Sequence, residues 1–150
     1  MVTVFVYGTL KPGEAAYRRY CQPQVVSAQP TLVQGDLFHL PPGYPALTVG
    51  DRWIKGFRLQ LQDDREIAAI DEFEDYDPSR SATENLYVRQ QWPIFSPVQH
   101  PWGTAWVYWM GRQRIHALGG VVVTSGNWSR QQWPSLASLE LIDDVDREAH

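Results

Sequence analysis

The chain is poor in the residues on which several kinds of chemistry depend. It has one cysteine, Cys21, in 150 residues. No intrachain disulfide can form, and with no signal-peptide pattern at the N-terminus the expected compartment is the cytoplasm. The four histidines, His39, His100, His116 and His150, have none of the spacings of a metal site. No metal and no other cofactor is expected. No apolar run approaches the ~18 residues of a membrane-spanning helix. Basic residues are outnumbered, with 13 Lys and Arg against 17 Asp and Glu and a net charge of -4. Nucleic-acid binders need a basic footprint, and so does attachment to an anionic membrane surface; neither partner is expected. No internal repeat is present.

What remains is an ordinary globular composition, 43% hydrophobic and 20% charged, long enough to bury a core unaided. We read one domain over residues 1–135, with residues 136–150 as an acidic C-terminal tail or helix. Residues 2–7 read as a strand, Glu14 to Cys21 as a short helix with Tyr17, Tyr20 and Cys21 on one face, and Thr31 to Leu40 as a strand. Pro41-Pro42-Gly43-Tyr44-Pro45 reads as loop. Trp53 to Leu61 reads as a strand with a bulge at Gly56, and Asp63 to Tyr76 as the best helix. Leu86 to Ile94, Gly103 to Met110 and Val121 to Val123 complete the strands. Many strands, few helices and no βαβ rhythm predict an α+β domain on a closed or strongly curved sheet.

Two segments ask for more than a structural reading. The apolar run Val4-Phe5-Val6 stops at Tyr7-Gly8-Thr9-Leu10, a glycine turn more particular than a connector needs. Backbone N–H groups of Gly8, Thr9 and Leu10 can converge on an anion, and Gly8 lets the backbone approach a ligand. An ordinary strand-end turn explains the same residues. The second segment is DDREIAAIDEFEDYD, residues 63–77. Asp63 and Glu66 are spaced as a capping-box variant. At about 100° per residue from Ile67, Ile70 lies near about -60° and Glu74 near about -20°, on the apolar stripe, with Glu72 and Asp75 turned toward solvent or the rim. A carboxyl on a buried stripe tends to a raised pKa, which suits a general acid or base. An ion pair, for example with Arg89, explains it equally simply.

Six blocks in order resemble the γ-glutamylcyclotransferase-like family, including its AIG2-like and γ-glutamylamine cyclotransferase branches. They are Tyr7-Gly8-Thr9-Leu10; Gly35-Asp36-Leu37 with Gly43-Tyr44-Pro45-Ala46-Leu47; Ile70-Asp71-Glu72-Phe73-Glu74; Tyr87-Val88-Arg89; Ala105-Trp106-Val107-Tyr108; and Ser125-Gly126-Asn127-Trp128. Asp75 stands where many relatives carry Gly, and residues 14–16 lack the Asn often found after the first loop.

The resemblance implies an α+β fold, a mixed, partly closed β-barrel with flanking helices. It implies a cofactor-independent transferase or cyclising lyase that releases 5-oxoproline from a small-molecule γ-glutamyl substrate. It implies Glu74 as the catalytic acid/base, and Tyr7, Gly8, Thr9, Leu10, Tyr87 and Tyr108 as substrate-binding residues. Tyr87 and Tyr108 fit equally well as aromatic core positions, and Arg89 as a structural partner of a carboxylate. A non-catalytic binding module for a small metabolite or protein stays open, as does a hydrolase or another cyclising transferase on the same scaffold. The leaving group and the oligomeric state stay open too.

Overall fold

The computed structural model describes residues 1–130 and residue 132; the expected tail or helix at 136–150 lies outside these. Six strands are present among the described residues: β1 (Val2–Val6), β2 (Val25–Leu40), β3 (Tyr44–Leu61), β4 (Val88–Phe95), β5 (Pro101–Trp109) and β6 (Val121–Val122). With them run three short helices, α1 (Ala15–Tyr20), α2 (Ile67–Phe73) and α3 (Arg112–Ala117). The strands are hydrogen-bonded in the order β3-β1-β5-β4-β2-β6, and β2 pairs back onto β3. Five strands thus close a ring, and β6 lies outside it on β2. The ring is mixed, because β1 runs antiparallel to β3 and parallel to β5.

The apolar run in β1 is explained by burial on both faces. Phe5 joins a cluster with Val33, Leu37, Leu47, Ile54, Ile94, Ala105 and Val107, which draws on all five ring strands and fills the barrel. Val2, Val4 and Val6 point the other way, into a second cluster with Leu59, Leu61, Cys21 and Ile70 beneath α1 and α2. Tyr17 and Tyr20 of α1 pack on this second cluster, so its aromatic face and Cys21 bury together.

Several elements differ from expectation. β2 is one strand from Val25, running through Pro30, which is exposed. The turn between β2 and β3 is only residues 41–43, with Gly43 at φ 113°. No register shift occurs at Gly56; the shifts in the β2–β3 ladder fall between Val25 and Ser27 and between Gly35 and Asp36. Gly56 is required by a close approach instead: a Cβ there would lie 2.3 Å from the Val6 carbonyl oxygen and 2.5 Å from Phe5 Cζ. The capping box of Asp63 and Glu66 is formed, but it opens a 3-10 turn at Asp64–Glu66, and α2 ends at Phe73 with Glu74 as its C-cap. Helix α3 carries fully buried Ile115 and was not anticipated; the glycine pair after it closes it, with Gly119 at φ 81°. No helix among the described residues is long and apolar enough to cross a membrane.

Candidate active site

The end of β1, the start of β3, the C-terminus of α2 and the approach to β4 meet around one cavity of about 210 Å³. That is small for a ligand site and suits a metabolite rather than a polymer. Tyr7, Gly8, Thr9, Leu10, Glu74, Tyr87 and Tyr108 all line it. Tyr44 and Pro45 wall it as well, and the only charged side chains among its described lining residues are Glu74 and Arg130.

Glu74 arrives there because α2 stops. The helix buries Ile70 completely, and Glu74, four residues on, caps the C-terminus with its N–H still donated to the Ile70 carbonyl at 2.9 Å. The next residue, Asp75, takes φ 53°, the left-handed conformation that ends many helices and that glycine adopts most readily. This accounts for the departure from the family pattern at that position. Asp75 is held by Arg80, whose guanidinium donates to its carbonyl at 3.0 Å and its carboxylate at 3.2 Å. Glu72 and Asp75 are both exposed.

No group among the described residues hydrogen-bonds or ion-pairs with the Glu74 carboxyl. It lines the cavity, and the densely packed protein around it pushes the carboxyl from 4.5 up to about 8. The weak acids near it stay neutral. Burial, and next the charge on Glu74, push the Cys21 thiol up to about 12 and the Tyr7 hydroxyl well above its ordinary value. Cys21 is fully buried and inert.

The tyrosines bind one another's scaffolding. Tyr7 donates its hydroxyl to the backbone oxygen of Tyr108 at 2.5 Å and accepts the Leu47 N–H at 3.3 Å. Tyr87 donates to the Pro45 carbonyl at 2.6 Å, and Tyr108 donates to Asp71 Oδ1 at 2.5 Å. Their rings wall the cavity while these hydroxyl protons are committed within the protein. Gly8 makes room for protein rather than for a ligand, since a Cβ there would lie 2.4 Å from Pro45 Cγ. The backbone N–H groups of Gly8, Thr9 and Leu10 have no acceptor among the described residues, whereas the Gly8 carbonyl accepts from Lys11 N–H at 3.0 Å.

Sequence reasoning left several supporting residues without a role. Lys11 is buried and donates its ammonium to the Trp128 carbonyl and to Asn127 Oδ1. Trp128 is fully buried and donates its indole N–H to His39 Nδ1 at 3.0 Å. The Ser125 to Trp128 block therefore backs the first loop from behind. Arg89, offered as a partner for Glu74, binds Asp71 instead, at 3.0 and 3.2 Å from the two carboxylate oxygens. Asp71 carried no role either, although it stands in the Ile70 to Glu74 block.

The family model for gamma-glutamyl cyclotransferase, AIG2-like, matches residues 4–130. The chain belongs to this family. A Vibrio cholerae protein provisionally assigned as a gamma-glutamylcyclotransferase is 30% identical over 129 residues, covering 85% of this chain and 96% of its own length. The crystal structure of a mouse AIG2-like protein aligns at TM-score 0.50 and 22% identity over 74% of this chain and 78% of that one. Bacillus subtilis YkqA aligns at TM-score 0.57 and 21% identity over 85% of this chain, which spans only 39% of YkqA. The structural likenesses show the fold alone. The family and its bacterial relative indicate a gamma-glutamylcyclotransferase-like activity.

Proposed function

We propose that the protein cyclises a γ-glutamyl compound to 5-oxoproline and a free amine or amino acid, with Glu74 as the single acid–base group. The observation that carries this reading is the Glu74 carboxyl, without a partner among the described residues and pushed up to about 8, in a cavity also lined by Gly8, Thr9 and Leu10, whose N–H groups have no acceptor among the described residues.

The reaction is intramolecular, so its nucleophile is already held at high effective concentration. The Glu74 carboxylate takes one proton from the substrate's α-ammonium, whose reference pKa of ~7.7–8.0 nearly matches its own. Proton transfer is then close to thermoneutral, the condition under which general acid–base catalysis works best. The freed amine attacks the γ-carbonyl carbon, closing a five-membered ring and placing negative charge on the carbonyl oxygen. The N–H groups of Gly8, Thr9 and Leu10 serve that oxygen or the glutamyl carboxylate. Collapse re-forms the carbonyl and breaks the bond to the departing nitrogen, which takes the proton held by Glu74. Glu74 then takes the ring nitrogen's second proton and passes it on, so that the amine leaves as an ammonium and the ring is left as a neutral lactam. No water is consumed, and the carboxylate is regenerated. Tyr7, Tyr87 and Tyr108 shape the pocket around the glutamyl chain.

The test is a panel of γ-glutamyl amino acids, dipeptides, ε-lysyl compounds and simple amines assayed for 5-oxoproline. Release from at least one compound, lost in Glu74→Gln, is the expected result. Saturable binding with no 5-oxoproline from any compound would replace the enzyme with a binding module.

A further inference from the structure

Two carboxylates on α2 and its cap lie three residues apart, close to one side of the helix. One arginine lies within reach of that side. Arg89 is opposite Tyr108 in the β4–β5 ladder, and Tyr108 spans from that ladder to Asp71, its hydroxyl on Asp71 Oδ1 at 2.5 Å. The Arg89 guanidinium meets both Asp71 oxygens and lies 4.6 Å from the Trp106 ring centroid and 5.4 Å from that of Tyr76. Arg89 and Asp71 are both largely buried, at 16% and 13% side-chain exposure, where an ion pair is little screened.

We propose that Asp71 is a positioning residue: it holds Arg89 in a neutral pair beside Glu74 and so keeps that guanidinium's charge from acting on Glu74 uncompensated. The inference rests on Glu74 being the acid–base group. An arginine paired with Glu74 would hold its carboxylate in the charged form and leave it a feeble base. With Arg89 captured, burial alone governs how tightly Glu74 keeps its proton.

The groups facing Glu74 from each neighbouring element are consistent with this. They are Tyr7 after β1, Cys21 after α1, Tyr44 at the start of β3, Tyr87 before β4, and Tyr108 on β5. Asp71 lies on its own helix, and Arg130 lines the same cavity. Of these, Asp71 together with its captured Arg89 forms a neutral pair.

The test reads Glu74 directly. In the full chain labelled with 13C at the glutamate side-chain carboxyl, the Glu74 signal is assigned by its loss in Glu74→Gln and titrated in wild type, Asp71→Asn, Arg89→Met and the double variant. Asn keeps an acceptor for Tyr108 but releases Arg89. Its Glu74 midpoint should fall by about one pH unit, the scale of one unit charge near a partly buried site. Arg89→Met leaves Asp71 uncompensated and should raise the midpoint, while the double variant should return close to wild type. For whichever γ-glutamyl compound the wild type cyclises, the acidic limb of kcat/KM should move in step.

Midpoints that stay at the wild-type value in both single variants overturn the proposal, and so do midpoints that move the same way in both, which would mean general loosening. If Asp71→Asn does not fold, Arg89→Met decides alone: a raised midpoint supports capture and an unmoved one ends it. Failure of the cyclotransferase reading would show separately, as wild-type protein that forms no 5-oxoproline while the titrations run as usual.

Discussion

Asp71 and Glu74 stand less than one helical turn apart and present the same functional group, yet the fold treats them oppositely. Asp71 is saturated, with Tyr108 on one oxygen and Arg89 across both. Glu74 has no partner among the described residues and lines the cavity. Burial raises both carboxyls, but at Asp71 the Tyr108 hydrogen bond and the Arg89 charge pull back. Position on the helix makes the difference. Asp71 sits inside α2, where the β4–β5 ladder covers it, and Glu74 sits at the cap, where the chain turns away and leaves a space. A buried carboxylate with partners is structure; one without them is held ready for a proton.

The sharpest way to break this contrast is to neutralise each carboxyl in turn. Glu74→Gln keeps shape and hydrogen-bonding capacity but cannot take the ammonium proton. Its kcat for 5-oxoproline release should fall by about 10²–10⁴-fold or more, with ligand affinity by calorimetry nearly unchanged. Asp71→Ala should act first on stability. It strands the buried Arg89 guanidinium, and removal of one member of a buried pair costs roughly 3–5 kcal/mol, readable as a lowered urea midpoint.

Stability should also separate the two carboxyls by sign. The folded-state value of Glu74, about 8, lies above its unfolded value. Its contribution is therefore fully present below about pH 4.5 and is lost as pH rises through about 8. Glu74→Gln escapes that loss. Its Tm should exceed wild type by about 3 °C or more at pH 9, and the gap should shrink as the pH is lowered to 5. A gap that is the same at both pH values would mean that Glu74 carries no raised affinity for its proton. The smallest effects should come from the exposed carboxylates beside the site. Glu72→Gln and Asp75→Asn should stay within about three-fold of wild-type kcat/KM, as surface changes away from the chemistry do. A dead Glu72→Gln with an active Glu74→Gln would reverse the roles assigned along this helix.

The sequence carried the α+β class, the succession of most strands along the chain and the inward direction of Glu74, because each rests on the local pattern of apolar residues. Asp63 and Glu66 gave the start of the helical segment for the same reason. Its end was misplaced, since the sequence pattern ran to Tyr76 while the left-handed turn at Asp75 stops the helix sooner, and aspartate rarely announces such a turn. The closure of the ring was not legible in detail. The β2–β4 seam is registered at Leu32 with Phe95 and the β1–β5 seam at Val4 with Trp106, pairings set by strands far apart in the chain. The partner of Arg89 was open for a related reason. Tyr87 and Arg89 share a strand direction, but which carboxylate of α2 meets the arginine depends on how the helix is rolled against the ladder. Gly8 and Gly56 were recognisable as special, while the atoms that exclude a side chain, in Pro45 and in β1, were not.

The grip of Lys11 on Trp128 has a consequence for biosynthesis. The loop that walls the cavity leaves the ribosome well before the carbonyl that anchors it, which follows 117 residues later. Until then the Lys11 ammonium has neither Trp128 nor Asn127 to receive its hydrogen bonds, and for most of that interval β1 also lacks the β5 strand it pairs with in parallel. Such long-range closure is slow, because the chain must be gathered before the contact rewards it. Nascent chains halted short of Trp128 should therefore hold a first loop that proteases can still cut, and ligand binding should begin only once that tryptophan has emerged.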